Sequence, residues 1–203
     1  MGDALQRLRD WNAEIAIVLG SVLNAVIRNP VESIAYSEFS ELPKPRVAGH
    51  AEKFSLCEIS ETRVIFAQGR VHLYEGYSAG QVTANVRKLA HAGIKKLVVT
   101  NAAGALNQKF KPGDWMMIND HLNLTGTSPL IGCPEFLDLS DTYSPRLQKH
   151  FGDRSDGAFT VVFSVRSSSD PALQARLQRV DEQPAQIRVC RPRGMAACAR
   201  FAS

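Results

Sequence analysis

The sequence predicts an α/β fold, and three observations lead there. Apolar runs of strand length end in glycine, a helical stretch lies between two of them, and the alternation continues along the chain. At 203 residues there is material for one sizeable core and little for a second.

Each element has its own signal. "EIAIVLG" (Glu14 to Gly20) reads as a buried strand closed by glycine, and "TRVIFAQG" (Thr62 to Gly69) as a second. "AGQVTANVRKLAHAG" (Ala79 to Gly93) has helical spacing, with Val82, Val86, Leu89 and Ala90 on one side and Gly93 as the stop. "KKLVVTNAAG" (Lys95 to Gly104) is a third strand running into a glycine turn. "GDWMMINDHLNL" (Gly113 to Leu124) is a fourth, and "DGAFTVVFS" (Asp156 to Ser164) reads as another. Glycine-terminated strand ends are where sheets of this class hold ligands.

Composition excludes several classes. A net charge of +4 is too mild to argue for nucleic acid. No apolar run approaches membrane-spanning length, and the first residues lack the charged start and apolar core of a secretory leader. Cys57, Cys133, Cys190 and Cys198 show no paired metal-ligand spacing, so reduced thiols in a cytoplasmic protein are expected, with no metal. The composition then changes near residue 151. The last lysine is Lys149, and the remainder is rich in arginine, alanine, serine and glutamine without a strand period. The chain is therefore divided into an α/β domain over 1–150 and an atypical tail over 151–203, either part of the same domain or disordered. Arginines of the tail form no helical stripe and have no interleaved aromatics, which sets nucleic-acid binding aside.

Three strand ends carry the chemistry. Ser21 follows the first, Arg70 and His72 the second, and "NAAG" the third. If the strands are neighbours, a hydroxyl, a guanidinium, an imidazole and backbone N–H groups meet at one sheet edge. That set suits a tetrahedral oxyanion such as phosphate. Taken singly, Arg70 reads equally as a surface ion-pair partner and His72 as a structural histidine. Their joint placement favours the anion.

The segments "VLGSVL", "AGHAEKF", "QGRVHLYEGY", "VVTNAAGALNQKFKPGD" and "INDHLNLTGTSPL" resemble the successive motifs of the trimeric purine nucleoside phosphorylases, in order and spacing, from about Ile15 to Lys149. The resemblance implies a central mixed sheet flanked by helices. It implies phosphate-dependent cleavage of purine ribonucleosides and deoxyribonucleosides to free base and α-pentose 1-phosphate, with phosphate as co-substrate and no cofactor. Under it, Arg70 and His72 are the catalytic pair, and Ser21, His50, Arg70, His72 and the Ala102 N–H hold phosphate. Tyr74 lies against the ribose, as does Phe136 from a neighbouring subunit of a homotrimer. Ala102, Ala103, Gly104 and Glu182 line the base, and Glu75 orders the loop. A cytoplasmic role in purine salvage follows from the same resemblance, with neither nucleic acid nor membrane as a partner.

This sequence also departs from the family pattern. Val22 stands where the phosphate loop has a second glycine, and Glu52 stands where "GHAE" normally has glycine. The base-binding segments expected after Ser164 are missing or altered. If Val165 to Ser169 is encoded GTC CGC AGT TCG AGC after a serine codon ending in G, stepping back one base spells Gly-Pro-Gln-Phe-Glu, the segment the family places there. One lost nucleotide after the Ser164 codon, with mostly out-of-frame translation beyond it, accounts for that match. "QPAQIR" (Gln183 to Arg188) resembles a later family segment in the present frame and sets Glu182 at the base-binding position. The alternative to an active phosphorylase is a catalytically inactive family member that acts only as a subunit or binding partner.

Overall fold

The computed structural model describes residues 3–44, 51–103, 113–133, 137, 139, 142–152, 158–163 and 195–201. The chain divides into two units, Met1–Asn101 and Ala102–Ser203.

The first unit holds helix α1 (Asp3–Asp10) and strands β1 (Ile15–Leu19), β2 (Glu32–Ala35), β3 (Lys53–Ile59) and β4 (Thr62–Gln68). Helices α2 (Ala79–Val82) and α3 (Ala84–His91) follow, and then β5 (Lys96–Ala103), which ends just past the unit boundary. The strand order is β2-β3-β4-β1-β5. Strands β4 and β5 flank β1 in parallel, with Leu19 beside Gln68 and Val18 beside Val99. Strand β3 runs antiparallel to β4, and β2 antiparallel to β3. The sheet is mixed and α/β, as predicted. Its three parallel strands all finish at one edge, where Gly20 follows β1 and Gly69 turns the chain after β4.

The core of this unit gathers Leu8, Ile34, Phe54, Ile65 and Leu89, each almost inaccessible to water. Tyr36 and Phe39 pack on Phe54 with ring centroids at 4.7 and 5.6 Å. Helix α1 is mostly polar and docks through buried Leu8 and the adjoining Trp11. The Trp11 indole N–H donates to Glu32 at 2.8 Å, and Arg7 bridges Glu38 and Glu32.

The single helix predicted over 79–93 is corrected to two. Ser78 caps the first, accepting from the Gln81 N–H at 3.3 Å. The Thr83 hydroxyl then donates back to the carbonyls of Ala79 and Gly80 at 3.0 and 3.3 Å. Such back-bonding bends a helix, and Thr83 sits at φ −94°, ψ 5°. The predicted face shifts accordingly. Ala84, Asn85 and Leu89 are buried, whereas Ala90 is exposed.

The second unit contains β6 (Trp115–Asn123), α4 (Pro145–Gly152), β7 (Ala158–Phe163) and β8 (Met195–Phe201), with strand order β8-β6-β7. Strand β7 is parallel to β6 and β8 antiparallel to it. Strand β8 lies in the tail, where the sequence shows no strand period; pairing with β6 overrides weak local preference. Among the described residues no helix is long and apolar enough to cross a membrane.

Candidate active site

Thr100, near the end of β5, organises the ligand edge of the first unit. Its hydroxyl accepts the Gly20 N–H at 2.9 Å and donates to the Val18 carbonyl at 3.0 Å. Its own carbonyl accepts Nη1 of Arg70 at 3.0 Å. Gly20 has an ordinary extended backbone, so conformational freedom is not the reason for glycine there. A Cβ would lie 3.2 Å from Cα of Asn101 and 3.4 Å from the Thr100 oxygen, a tight fit that would make the loop after β1 or β5 give by a few tenths of an ångström.

Arg70 follows Gly69, whose φ of 107° turns the chain at the end of β4. Arg70 is partly buried, and that burial lowers its pKa, while nearby Tyr74 and Tyr36 act in the opposite direction. An arginine starts so far above neutrality that it remains a cation. Among the described residues no carboxylate lies within ion-pair distance of it. A partly desolvated guanidinium gains from every acceptor that faces it, and here the Thr100 carbonyl is one such acceptor.

The segment after Arg70 tightens into a one-turn 3-10 helix, Leu73–Glu75, closed by Gly76 at φ 87°. Oε1 of Glu75 accepts the His72 backbone N–H at 2.8 Å and lies 3.0 Å from Nδ1 of its ring. A carboxylate only accepts, so Nδ1 carries the proton in this contact and Nε2 is the remaining ring nitrogen. Tyr74 stacks on the His72 ring with centroids 4.8 Å apart and planes 15° apart. Its own ring is mainly exposed, at 67%.

Behind Arg70, Tyr36 and Asn85 form a buried polar support. The Tyr36 hydroxyl donates to the Gly69 carbonyl at 3.3 Å. Burial raises the Tyr36 pKa, a hydrogen bond with Asn85 opposes that rise, and Glu52 adds to it. A small cavity lies here, lined by Tyr36, Gly69, Arg70, Gln81 and Asn85 among others. The arrangement offers a shielded cation, an imidazole fixed by a carboxylate, and an exposed aromatic face beside them. It can hold a small oxyanion and present an apolar surface next to it.

Comparison with known proteins agrees with this architecture. The profile of the Phosphorylase superfamily matches residues 14–199. Purine nucleoside phosphorylase 1 of Geobacillus stearothermophilus is 37% identical over 190 residues, covering 89% of this chain and 67% of the relative. The chain belongs to the phosphorylase superfamily, among the purine nucleoside phosphorylases. Purine nucleoside phosphorylase 1 of Bacillus subtilis is 43% identical over 143 residues, covering 66% of this chain and 52% of the relative. The chain thus spans roughly half to two thirds of the length of these relatives. A crystal structure of isoform 2 of purine nucleoside phosphorylase from Schistosoma mansoni, in complex with cytosine and ribose-1-phosphate, superposes with a TM-score of 0.71 at 24% identity. It covers 98% of this chain and 82% of that one, and at that identity it bears on the fold alone.

Within this phosphorylase fold the structure brings Arg70 and the Gly20 backbone onto one residue, Thr100, with His72, Tyr74 and Glu75 in the adjoining turn. Ser21 and Val22 begin the 3-10 segment Ser21–Val26, and Ala102 and Ala103 end β5. The side chains of those four, and His50, Gly104, Phe136 and Glu182 altogether, lie outside the described residues. Thr100, Tyr36 and Asn85 escape a reading of the sequence. Their signal is faint: a lone hydroxyl closing "KLVVT", a tyrosine in a loop-like stretch, and an amide within a helical pattern.

Proposed function

We propose that this chain carries phosphorylase activity on purine nucleosides, moving a pentose from the base to inorganic phosphate. The single observation that carries the reading is Arg70, a partly buried guanidinium anchored by the Thr100 carbonyl at the sheet edge where the Gly20 backbone and the His72 turn also lie. In this reading Arg70, His72, Ser21, His50 and the Ala102 N–H hold phosphate below the sugar. Tyr74 lies along the ribose, completed by Phe136 from a neighbouring copy in a homotrimer. Ala102, Ala103, Gly104 and Glu182 line the base.

Phosphate is already anionic and nucleophilic, so positioning it at the anomeric carbon supplies much of the rate. Its negative charge also favours the oxocarbenium character that develops as the glycosidic bond opens. The bond from phosphate oxygen to the anomeric carbon forms as the carbon–nitrogen bond breaks, and the base leaves with the electron pair and takes up a proton. Glu75 holds Nδ1 of His72, which fixes the orientation of the ring beside the proposed phosphate site. No metal or organic cofactor enters this scheme. The proposed setting is purine salvage in the cytoplasm.

Inosine phosphorolysis, followed with and without phosphate beside size-exclusion chromatography, tests the reading. Hypoxanthine and ribose 1-phosphate released only with phosphate, from a species of trimer size, is the expected result. A folded chain that releases no hypoxanthine overturns it. A second reading, a member without turnover that joins other copies as a subunit, is favoured by Glu52, a carboxylate close enough to Tyr36 to affect its ionisation.

A further inference from the structure

We infer that Thr100 is a positioning residue for phosphate: through one side chain and one carbonyl it sets the loop after β1 and Arg70 in a common frame. This rests on the phosphorylase reading above and extends it to a residue that does not itself need to touch the anion. The hydroxyl spans β1 and β5 by accepting from Gly20 N–H at 2.9 Å and donating to the Val18 carbonyl at 3.0 Å. The carbonyl of the same residue takes Nη1 of Arg70 at 3.0 Å.

Three properties make this more than ordinary strand packing. Thr100 is 6% exposed, so a polar atom lost here is not replaced freely by bulk water. The Gly20 N–H that it receives belongs to the residue immediately before Ser21, so the bond fixes where the loop begins. Gly20 also packs tightly against Thr100 and Asn101, where even a Cβ would meet backbone at 3.2 Å, so the start of the loop and the end of β5 are in close contact. Moving the end of β5 therefore moves both the loop and the cation. One of the guanidinium's five donors is used by the carbonyl, and that anchor orients the rest of the fork.

The test compares Thr100→Val, which keeps the shape and removes the hydroxyl, with Thr100→Ser, which keeps the hydroxyl. Phosphate affinity is read in two ways: inorganic phosphate titrated into the full chain by calorimetry, and KM for phosphate at saturating inosine. With Thr100→Val, phosphate binding and KM weaken about tenfold or more, the scale of a lost buried hydrogen bond. Under saturating phosphate, kcat stays within about threefold, because the residue acts on positioning and not on the reacting atoms. Thr100→Ser restores wild-type affinity, which a role in filling space alone would not do.

Unchanged phosphate affinity in a folded Thr100→Val overturns the inference and leaves the phosphorylase reading intact. Phosphate binding by the wild type without inosine cleavage removes that reading, and the calorimetric comparison still decides the role of Thr100. No phosphate binding by the wild type overturns both. Should Thr100→Val fail to fold, Thr100→Ala against Thr100→Ser makes the same contrast of hydroxyl absent and present.

Discussion

Oε1 of Glu75 meets His72 twice, accepting its backbone N–H at 2.8 Å and facing its ring Nδ1 at 3.0 Å. One buried carboxylate oxygen thus fixes both the turn and the tautomer of the ring. Glu75→Gln keeps the shape but offers a neutral amide in place of the carboxylate. A hydrogen bond to a charged group contributes about 1.5–3 kcal/mol, so losing it lowers kcat/KM for phosphate by about 10–100-fold. Steady-state kinetics at varied phosphate, with a thermal melt to verify folding, measure it.

Glu52 has φ 46°, and its carbonyl is pinned by the Tyr36 N–H at 2.8 Å. A side chain in the left-handed region costs about 1–2 kcal/mol, while glycine adds chain entropy to the unfolded state. Glu52→Gly is expected to stabilise the fold by a net of about 0.5–1 kcal/mol, and Glu52→Ala to give no comparable gain. Chemical denaturation of the three proteins checks the order.

Gly20→Ala places a methyl group 3.2 Å from Cα of Asn101. The neighbour is backbone and cannot rotate aside, so the loop or β5 must shift. Overpacking of this kind costs about 1–3 kcal/mol. The variant is expected to melt at lower temperature and bind phosphate more weakly, both readable from melts at graded phosphate.

His121 lies in β6 beside Tyr143 and Asp120. Burial pushes its imidazole down to about 4, with Asp120 opposing, so the folded form holds it neutral. Unfolded histidine binds a proton near its ordinary value of about 6.5. Between those values the unfolded state binds more protons, so stability falls as pH falls from about 6.5 toward 4, by at most about 1.4 kcal/mol per pH unit for this group. Denaturation midpoints at about pH 7.5, 6 and 5 follow the loss, and His121→Gln flattens this part of the slope.

The strand ends are legible in the sequence because buried parallel strands make plain apolar runs and glycines mark their exits. The β3–β4 hairpin is half legible, since its turn is Ser60-Glu61 at φ 47° and 64°, without the Asn-Gly or Asp-Gly that usually advertises that geometry. The helix break at Thr83 depends on a side chain bonding back to its own backbone, which apolar spacing does not register. Helix α1 is held by tertiary contacts of Leu8 and Trp11, more than by its eight polar-rich residues. Arg70 and His72 are legible as chemistry. Thr100 is not, because threonine at a strand end reads as ordinary β-preference until its three hydrogen bonds are seen.

The central claim is that Arg70, anchored on the Thr100 carbonyl, serves an inorganic anion. Calorimetric titration of phosphate into the wild type and into Arg70→Met tests it most directly. Saturable binding by the wild type, weakened about 10–100-fold in the folded variant, is predicted from the strength of charge-assisted hydrogen bonds. Equal binding by the two proteins, or none by the folded wild type, contradicts it.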